Sequence, residues 1–223
     1  MDYQFQFGDV FASSEELLAG AWLTIQLSGS AMLIGLAVAV ACALVKTSGP
    51  KPARWLVNGY VEVIRNTPFL VQIFLIFFGL PSLGLRLSPY EAALVAMVVN
   101  VGAYATEIIR AGIESIQKGQ VEAGMALGLS KLQVFRHVVL IPALRAVYPA
   151  LTSQFILLML TSSVVSAISA EELTSVANDI QSQTFRSFEI YIVVTVMYLV
   201  MSLMFSALFA GIYRAVFSYA DRR

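Results

Sequence analysis

The sequence predicts an all-α fold: an integral membrane protein with five transmembrane helices and a short helical segment on the loop between spans three and four. Three observations carry that prediction. Of the 223 residues, 58% are hydrophobic and 13% charged, with a mean hydropathy of +0.78, which is too apolar for a soluble globular domain of this size. Uncharged runs approaching or exceeding the roughly 20 residues needed to cross a hydrocarbon core recur along the chain. Once five spans are drawn, the cations fall almost wholly into alternate loops.

The first 16 residues, MDYQFQFGDVFASSEE, carry acids and neither Lys nor Arg. That is the reverse of a signal peptide's basic start, so the apolar run that follows is expected to stay in the protein. This run, between Glu16 and Lys46, is span one, roughly 18–45. Ala31 and Gly35, one turn apart in it, would let another helix approach closely. The single cysteine, Cys42, lies inside the same run, so no intramolecular disulfide can form. Gly49, Pro50 and Pro52 break the helix in a loop that also holds Lys46, Lys51 and Arg54. An amphipathic lead-in over 55–65 precedes span two, about 66–85, which ends at the turn Pro81-Ser82-Leu83-Gly84. Span three, about 88–110, has a short uncharged centre, 92–106, and crosses only if Glu91 sits at one interface and Glu107 and Arg110 at the other. Span four covers about 146–170 and span five about 190–213, separated by a polar segment.

Orientation follows from the cations. Lys46, Lys51, Arg54, Arg65, Arg110, Lys118, Lys131, Arg136, Arg145, Arg214, Arg222 and Arg223 fall on one side of five alternating spans, whereas Arg86 and Arg186 fall on the other. By the positive-inside rule the first set is cytoplasmic, which puts the N-terminus outside, the C-terminus inside and the 118–133 loop in the cytoplasm.

That loop is patterned. Gly119 can end the preceding helix, Glu122 falls in the first turn of a helix over 121–127, and Gly128 stands where a left-handed residue closes it. Ser130 and Gln133 form a capping box that opens a second helix leading through Val134, Phe135, Val138 and Val139 into an apolar run. A helix of about two turns is marginal alone, so the first must pack either on its own protein or on a partner.

The chemistry that is missing narrows the function. Net charge is zero, giving no basic field for nucleic acid. There is no GxxxxGK[ST] phosphate loop, no GxSxG elbow, no HExxH pair and no metal-ligand spacing around the lone His137, a helix-end or interface residue, so the chain is not expected to be an enzyme or to hold a metal. The polar residues of the spans remain. Asn100, Tyr104, Glu107 and Arg110 recur on one face of span three, either as a substrate pathway or as an interfacial ion pair with a packing hydrogen bond. Thr161 and Ser162, with Ser163, Ser166 and Ser169, polarise the end of span four; they can bond a solute or return their hydroxyls to their own helix. Arg65, Asn66, Thr67 and Pro68 read as a helix start at the membrane boundary and as a candidate gate.

The residues EAGMALG, 122–128, on a cytoplasmic loop resemble the EAA loop of binding-protein-dependent ABC importer permeases. The blocks YATEIIRAGIESIQKGQVEAG, RNTPFLVQIFLIFFGLP and SAEELTSVA resemble the polar amino-acid uptake subgroup, and the likeness covers nearly the whole chain. It implies that the loop is a coupling helix docking on an ATPase subunit, with Glu122, Ala123 and Gly128 matching the motif and Gln120, Met125, Leu127 and Leu129 beside them. It implies a second permease subunit, identical or paralogous, two ABC ATPase subunits that carry ATP and Mg, and a periplasmic or lipid-anchored binding protein, in the bacterial inner membrane. Two departures stand out: Gly124 replaces the second Ala, and Pro142 lies one place later than the usual Pro. The substrate implied is a polar amino acid or related small solute. The alternative from another class is a self-sufficient channel or ion-coupled transporter using the Asn100–Arg110 stripe.

Overall fold

The structure is a computed structural model that describes residues 4–217; Arg222 and Arg223, two of the cations counted above, lie outside them. Helices α1 (Gly8–Ala12) and α2 (Ser14–Ser48) are followed by α3 (Lys51–Arg65) and α4 (Phe69–Phe74), which continues as a π turn and a 3-10 turn to Leu83. Helix α5 (Pro89–Glu114) leads through α6 (Lys118–Ala126) and α7 (Lys131–Val134) to α8 (Leu140–Thr161), with a 3-10 turn to Ile168. Two last helices, α9 (Leu173–Thr184) and α10 (Ser187–Phe217), complete the chain, and no strand occurs among the described residues.

Among the described residues, four helical stretches are long and apolar enough to cross a membrane: Ser14–Ser48, Pro89–Glu114, Lys131–Ile168 and Ser187–Phe217. The fifth is the bent pair Lys51–Arg65 and Phe69–Leu83, whose axes differ by 111°. The lead-in expected over 55–65 and the span expected over about 66–85 are thus two helices that meet at a sharp bend. Pro68 is extended (φ −65°, ψ 136°) and lacks the N–H that would continue α3, so Asn66, Thr67 and Pro68 form an elbow. The amphipathic α3 leaves Trp55, Leu56 and Val63 exposed.

Span three begins on a capping box, Ser88 with Glu91, with Pro89 in the first turn where its missing donor costs nothing. The helix expected to open at Ser130 runs on into span four, as α7 passes through the π turn Phe135–Val139 into α8 without a break at Pro142.

The core is set by α2 lying on α5. Leu27, Ala31, Gly35, Ala39 and Ala43 form a buried row at four-residue spacing along α2. Opposite them, Ala96, Met97, Val101 and Gly102 are buried on α5. Any Cβ on Gly35 would strike the Val101 side chain, so this glycine lets the helices approach. Two apolar clusters flank the seam, one around Ile73, Met97 and Leu158, the other around Met159, Leu173 and Ile190. Helix α10 is hydrophobic all round and leaves Leu203, Met204 and Leu208 exposed, as a helix in lipid or against another subunit would.

Candidate functional site

The segment joining α5 to α8 is a closed helical hairpin. Helix α6 starts three residues before the expected 121, at Lys118, so Gly119 lies inside it and Glu122 falls in its second turn, beyond the reach of the dipole argument. The stop is as the sequence has it. Gly128 is left-handed (φ 82°), its N–H donates to Met125 O at 2.9 Å, and Leu129 N–H donates to Gly124 O at 3.3 Å, a full Schellman closure. Ser130 N–H donates to Gln133 Oε1 at 2.9 Å and Gln133 N–H to Ser130 Oγ at 3.4 Å, completing the second cap.

The two faces of this hairpin differ. Gly124 is buried, and a Cβ there would lie 3.2 Å from Val134 Cγ2 and 3.4 Å from Val138 Cγ2, so the place that departs from the family's alanine is where α6 crosses the start of span four. On the other face, Met125, Leu127 and Leu132 are exposed, Leu127 by 82%. Gln120, Glu122 and Ala123 are exposed beside them, and Leu129 is half-buried. This is an apolar face on a doubly capped hairpin that none of the described residues covers.

The polar stripe of α5 and the elbow after α3 come together. Asn100 Nδ2 donates to Gln72 Oε1 at 2.9 Å, while Gln72 Nε2 donates to Ile64 O (2.7 Å), Thr67 O (3.1 Å) and Thr67 Oγ1 (2.9 Å). The Arg65 guanidinium lies 5.5 Å from the Tyr104 ring centroid, a cation–π contact. Asn66 Nδ2 donates to Glu62 O at 2.8 Å, and Thr67 Oγ1 to Val63 O at 2.8 Å. Glu107 is shared: it pairs with Lys46 of α2 and with Arg110, whose Nη2 is 2.8 Å away, and Arg110 also pairs with Glu114. Beside Glu107 a cleft of about 420 Å³ opens between α5 and α8, lined also by Ser115 and Ala150. The elbow is thus tied to the α5 stripe at Asn100 and Tyr104, while Glu107 and Arg110 of the same stripe form a separate ion-pair group with Lys46 and Glu114.

Thr161 and Ser162 do not join it. Thr161 Oγ1 donates to Leu157 O and Ser162 Oγ to Met159 O at 2.7 Å, the local use of such hydroxyls. His137 is exposed, its Nδ1 2.9 Å from Gln133 O. No group of three or more potential metal-ligating side chains occurs among the described residues.

Three participants escaped the sequence reading. Gln72 and Lys46 tie the stripe together, and Gln72 is legible as the one polar residue between Pro68 and Gly79. The third, Glu172, is fully buried at the start of α9. Its Oε1 accepts from Ser175 N–H at 2.7 Å and its Oε2 from Tyr198 O–H at 2.6 Å, and the neighbouring Leu173 N–H donates to Thr24 Oγ1 at 3.1 Å, joining α2, α9 and α10. Burial pushes the Glu172 carboxyl above its usual range, against hydrogen bonds from Tyr198, Thr174 and Ser175 that favour the charged form.

Comparison with known proteins gives one family. The description "Binding-protein-dependent transport system inner membrane component" matches residues 31–218. Among relatives, the glutamine transport system permease protein GlnP of Escherichia coli (strain K12) is 37% identical over 88% of this chain and 91% of its own. The probable glutamine ABC transporter permease protein GlnM of Bacillus subtilis (strain 168) is 36% identical over 86% and 88%, and the L-cystine transport system permease protein TcyB of that organism is 40% identical over 74% and 70%. A solved amino acid ABC transporter crystallised with histidines superposes with a TM-score of 0.90 at 36% identity, covering 96% of this chain and 100% of that one. The MetNI methionine ABC transporter, at 20% identity and a TM-score of 0.77 over 92% and 98%, shares the fold.

Proposed function

Because this chain belongs to the binding-protein-dependent transport system inner membrane components, it is a transport subunit rather than an enzyme, and we propose that it imports polar amino acids or closely related small polar solutes. It forms the membrane pathway with a second permease subunit, identical or paralogous. A single bent five-span chain gives only one wall of a pathway, and a two-fold interface closes it. ATP and Mg are held by two cytoplasmic ABC ATPase subunits, and a periplasmic or lipid-anchored binding protein delivers the solute to a permease in the bacterial inner membrane. The twelve-to-two partition of cations supports placing α6 in the cytoplasm and the α9 end outside. The names of the relatives, which include glutamine and cystine permeases, support the solute class.

The observation that carries this reading is the doubly capped hairpin of α6 and α7 with its uncovered apolar face. Met125, Leu127 and Leu132 have no reason to be held rigidly in water unless another chain covers them, and Glu122 stands beside them. Since α6 is joined to α5 and α7 continues into α8, a push on the hairpin moves two spans together and biases inward- against outward-facing states. The stripe would then act as the pathway-side end of those spans, with Asn100, Gln72 and Thr67 holding the elbow. The ion-coupled alternative needs an available Glu107, whereas Lys46 and Arg110 both neutralise it.

Reconstitution tests the proposal. In proteoliposomes carrying this chain with its ATPase and binding protein, ATP should drive uptake of a labelled polar amino acid. Glu122→Lys and Leu127→Asp should abolish uptake while membrane insertion is unchanged. Gradient-driven uptake by this chain alone, without ATP, would overturn it.

A further inference from the structure

The two most exposed large apolar side chains among the described residues are Leu127, at 82%, and Phe185, at 83%. They lie at opposite ends of the bundle. Leu127 sits on the coupling hairpin; Phe185 closes α9 at the other end. Phe185 is also left-handed (φ 57°, ψ 25°), one of two non-glycine residues with positive φ among those described. Glycine or asparagine is the relaxed choice at such a helix end, and a bulky aromatic there is strained. A strained residue persists where its surroundings over-determine it, and it is worth asking what the strain serves.

The surroundings do fix this turn. Phe185 N–H donates to Gln181 O at 2.9 Å, Thr184 Oγ1 donates to Ile180 O at 2.8 Å, and Arg186 N–H reaches Thr184 Oγ1 at 3.4 Å. The Arg186 guanidinium is held by Gln6 Oε1, and Gln6 N–H donates to the buried Glu189 at 3.0 Å. A network of polar contacts therefore holds Phe185 in an unfavourable backbone conformation with its ring exposed. A packing role would bury the ring, and a turn role would select glycine.

We propose that Phe185 is a docking knob for the binding protein of the importer, inserting into an apolar socket ringed by Lys and Arg. The charge at this end of the bundle selects that partner. Its charged residues are mainly acids, the exposed Asp9, Glu15, Glu16, Glu91, Glu171 and Asp179, against the exposed Arg86 and the half-buried Arg186 beside the ring. A soluble partner with a basic rim is steered to such a face, and steering of this kind acts mainly on the association rate and weakens with salt. A rigid aromatic anchor then gives the complex its lifetime at little entropic cost. The inference rests on the proposed import function and on its orientation.

The test uses the assembled transporter in nanodiscs, with ATPase activity measured against binding-protein concentration. In the unmodified transporter, stimulation should need more binding protein as KCl rises. Phe185→Gly should raise the half-stimulating concentration tenfold or more and leave basal and maximal rates unchanged. The same variant should melt at a higher temperature than the unmodified chain, because glycine relaxes the left-handed turn. An unchanged half-stimulating concentration overturns the assignment, as does a lower melting temperature with uniform loss of activity, which would make Phe185 structural. Phe185→Trp covers the remaining occupant: quenching of its fluorescence by brominated lipid, unaffected by added binding protein, would make it a membrane anchor and overturn the proposal. If the unmodified transporter is not stimulated by any binding protein, the import reading itself fails, separately from the role of Phe185.

Discussion

Replacing Gly112 with alanine should spread α5 from α8 just beside the coupling hairpin, and trimming Val147 should reverse the effect. Gly112 is buried where the helices cross; a Cβ there would fall inside the Val147 Cγ1 methyl and 3.3 Å from the Ala143 carbonyl oxygen. With backbone on one side and a nearly buried valine on the other, the added methyl has no free volume, and overpacking of this kind costs about 1–3 kcal/mol. Alanine also gains about 1 kcal/mol of helix propensity over glycine, so the single variant is expected to lose only about 0–2 kcal/mol net. The double-mutant cycle separates the two. The propensity gain is the same whether position 147 holds valine or alanine and cancels, leaving an interaction energy on the order of 1–3 kcal/mol in favour of the pair Gly112→Ala, Val147→Ala. Because α5 feeds α6 and α8 receives α7, the wedge should also uncouple function: ATP hydrolysis continues while solute transported per ATP falls, and the double variant recovers it. Thermal unfolding in detergent and uptake-to-hydrolysis ratios in proteoliposomes read the two effects. Additive stabilities, or normal coupling in Gly112→Ala alone, would refute the reasoning.

Two further perturbations probe the polar framework. Gln72→Leu removes bonds to Ile64, Thr67 and Asn100 and strands the Asn100 amide; at about 0.6–1 kcal/mol per bond, a loss of about 2–3 kcal/mol is expected, with faster proteolysis at the elbow 66–68, and an unchanged melting temperature would contradict the role given to it. Glu172 has a raised pKa in the fold, so the native state holds its proton more tightly than the unfolded chain, which titrates near 4.3. Its contribution is fully present below that unfolded value and is lost as pH rises through the folded one, so the melting temperature should fall with rising pH over that window and Glu172→Gln should flatten the fall; parallel pH profiles of the two proteins would contradict this.

Much of the fold was legible because membrane physics writes it in large letters. Length and apolarity gave the long spans, and the row through Ala31 and Gly35 gave the α2 packing face. The elbow was half legible: Pro68 marks a helix start, but nothing local says that α3 and the next helix meet at 111°. Gln72 bridges the bend, donating to Ile64 and Thr67 before it and accepting from Asn100, 28 residues on, and a contact of that range leaves no periodic trace. The α6 stop and the second cap were legible, since Gly128 and Ser130-x-x-Gln133 are local signals; the α6 start was not, because Gln117 provides no side-chain cap. Ser88-x-x-Glu91 was a readable capping box of the same kind. At the site, the stripe on α5 was visible as a face, but its partners Lys46 and Gln72 come from other helices. Glu172 was hidden among polar neighbours, and only burial distinguishes it from Glu171. At the serine-rich end of span four the sequence leaves both uses open, and there Thr161 and Ser162 return their hydroxyls to their own helix.

The central contact is the one between the coupling hairpin and an ATPase chain, and site-directed cross-linking measures it. With Cys42 replaced by Ser, Leu127→Cys and Phe185→Cys are introduced singly into the assembled transporter and treated with a short bifunctional thiol reagent and ATPase subunits carrying surface cysteines. The ATPase should be captured at position 127 and not at 185. Capture at 185, or none at 127 in a transporter that still hydrolyses ATP, would contradict the account.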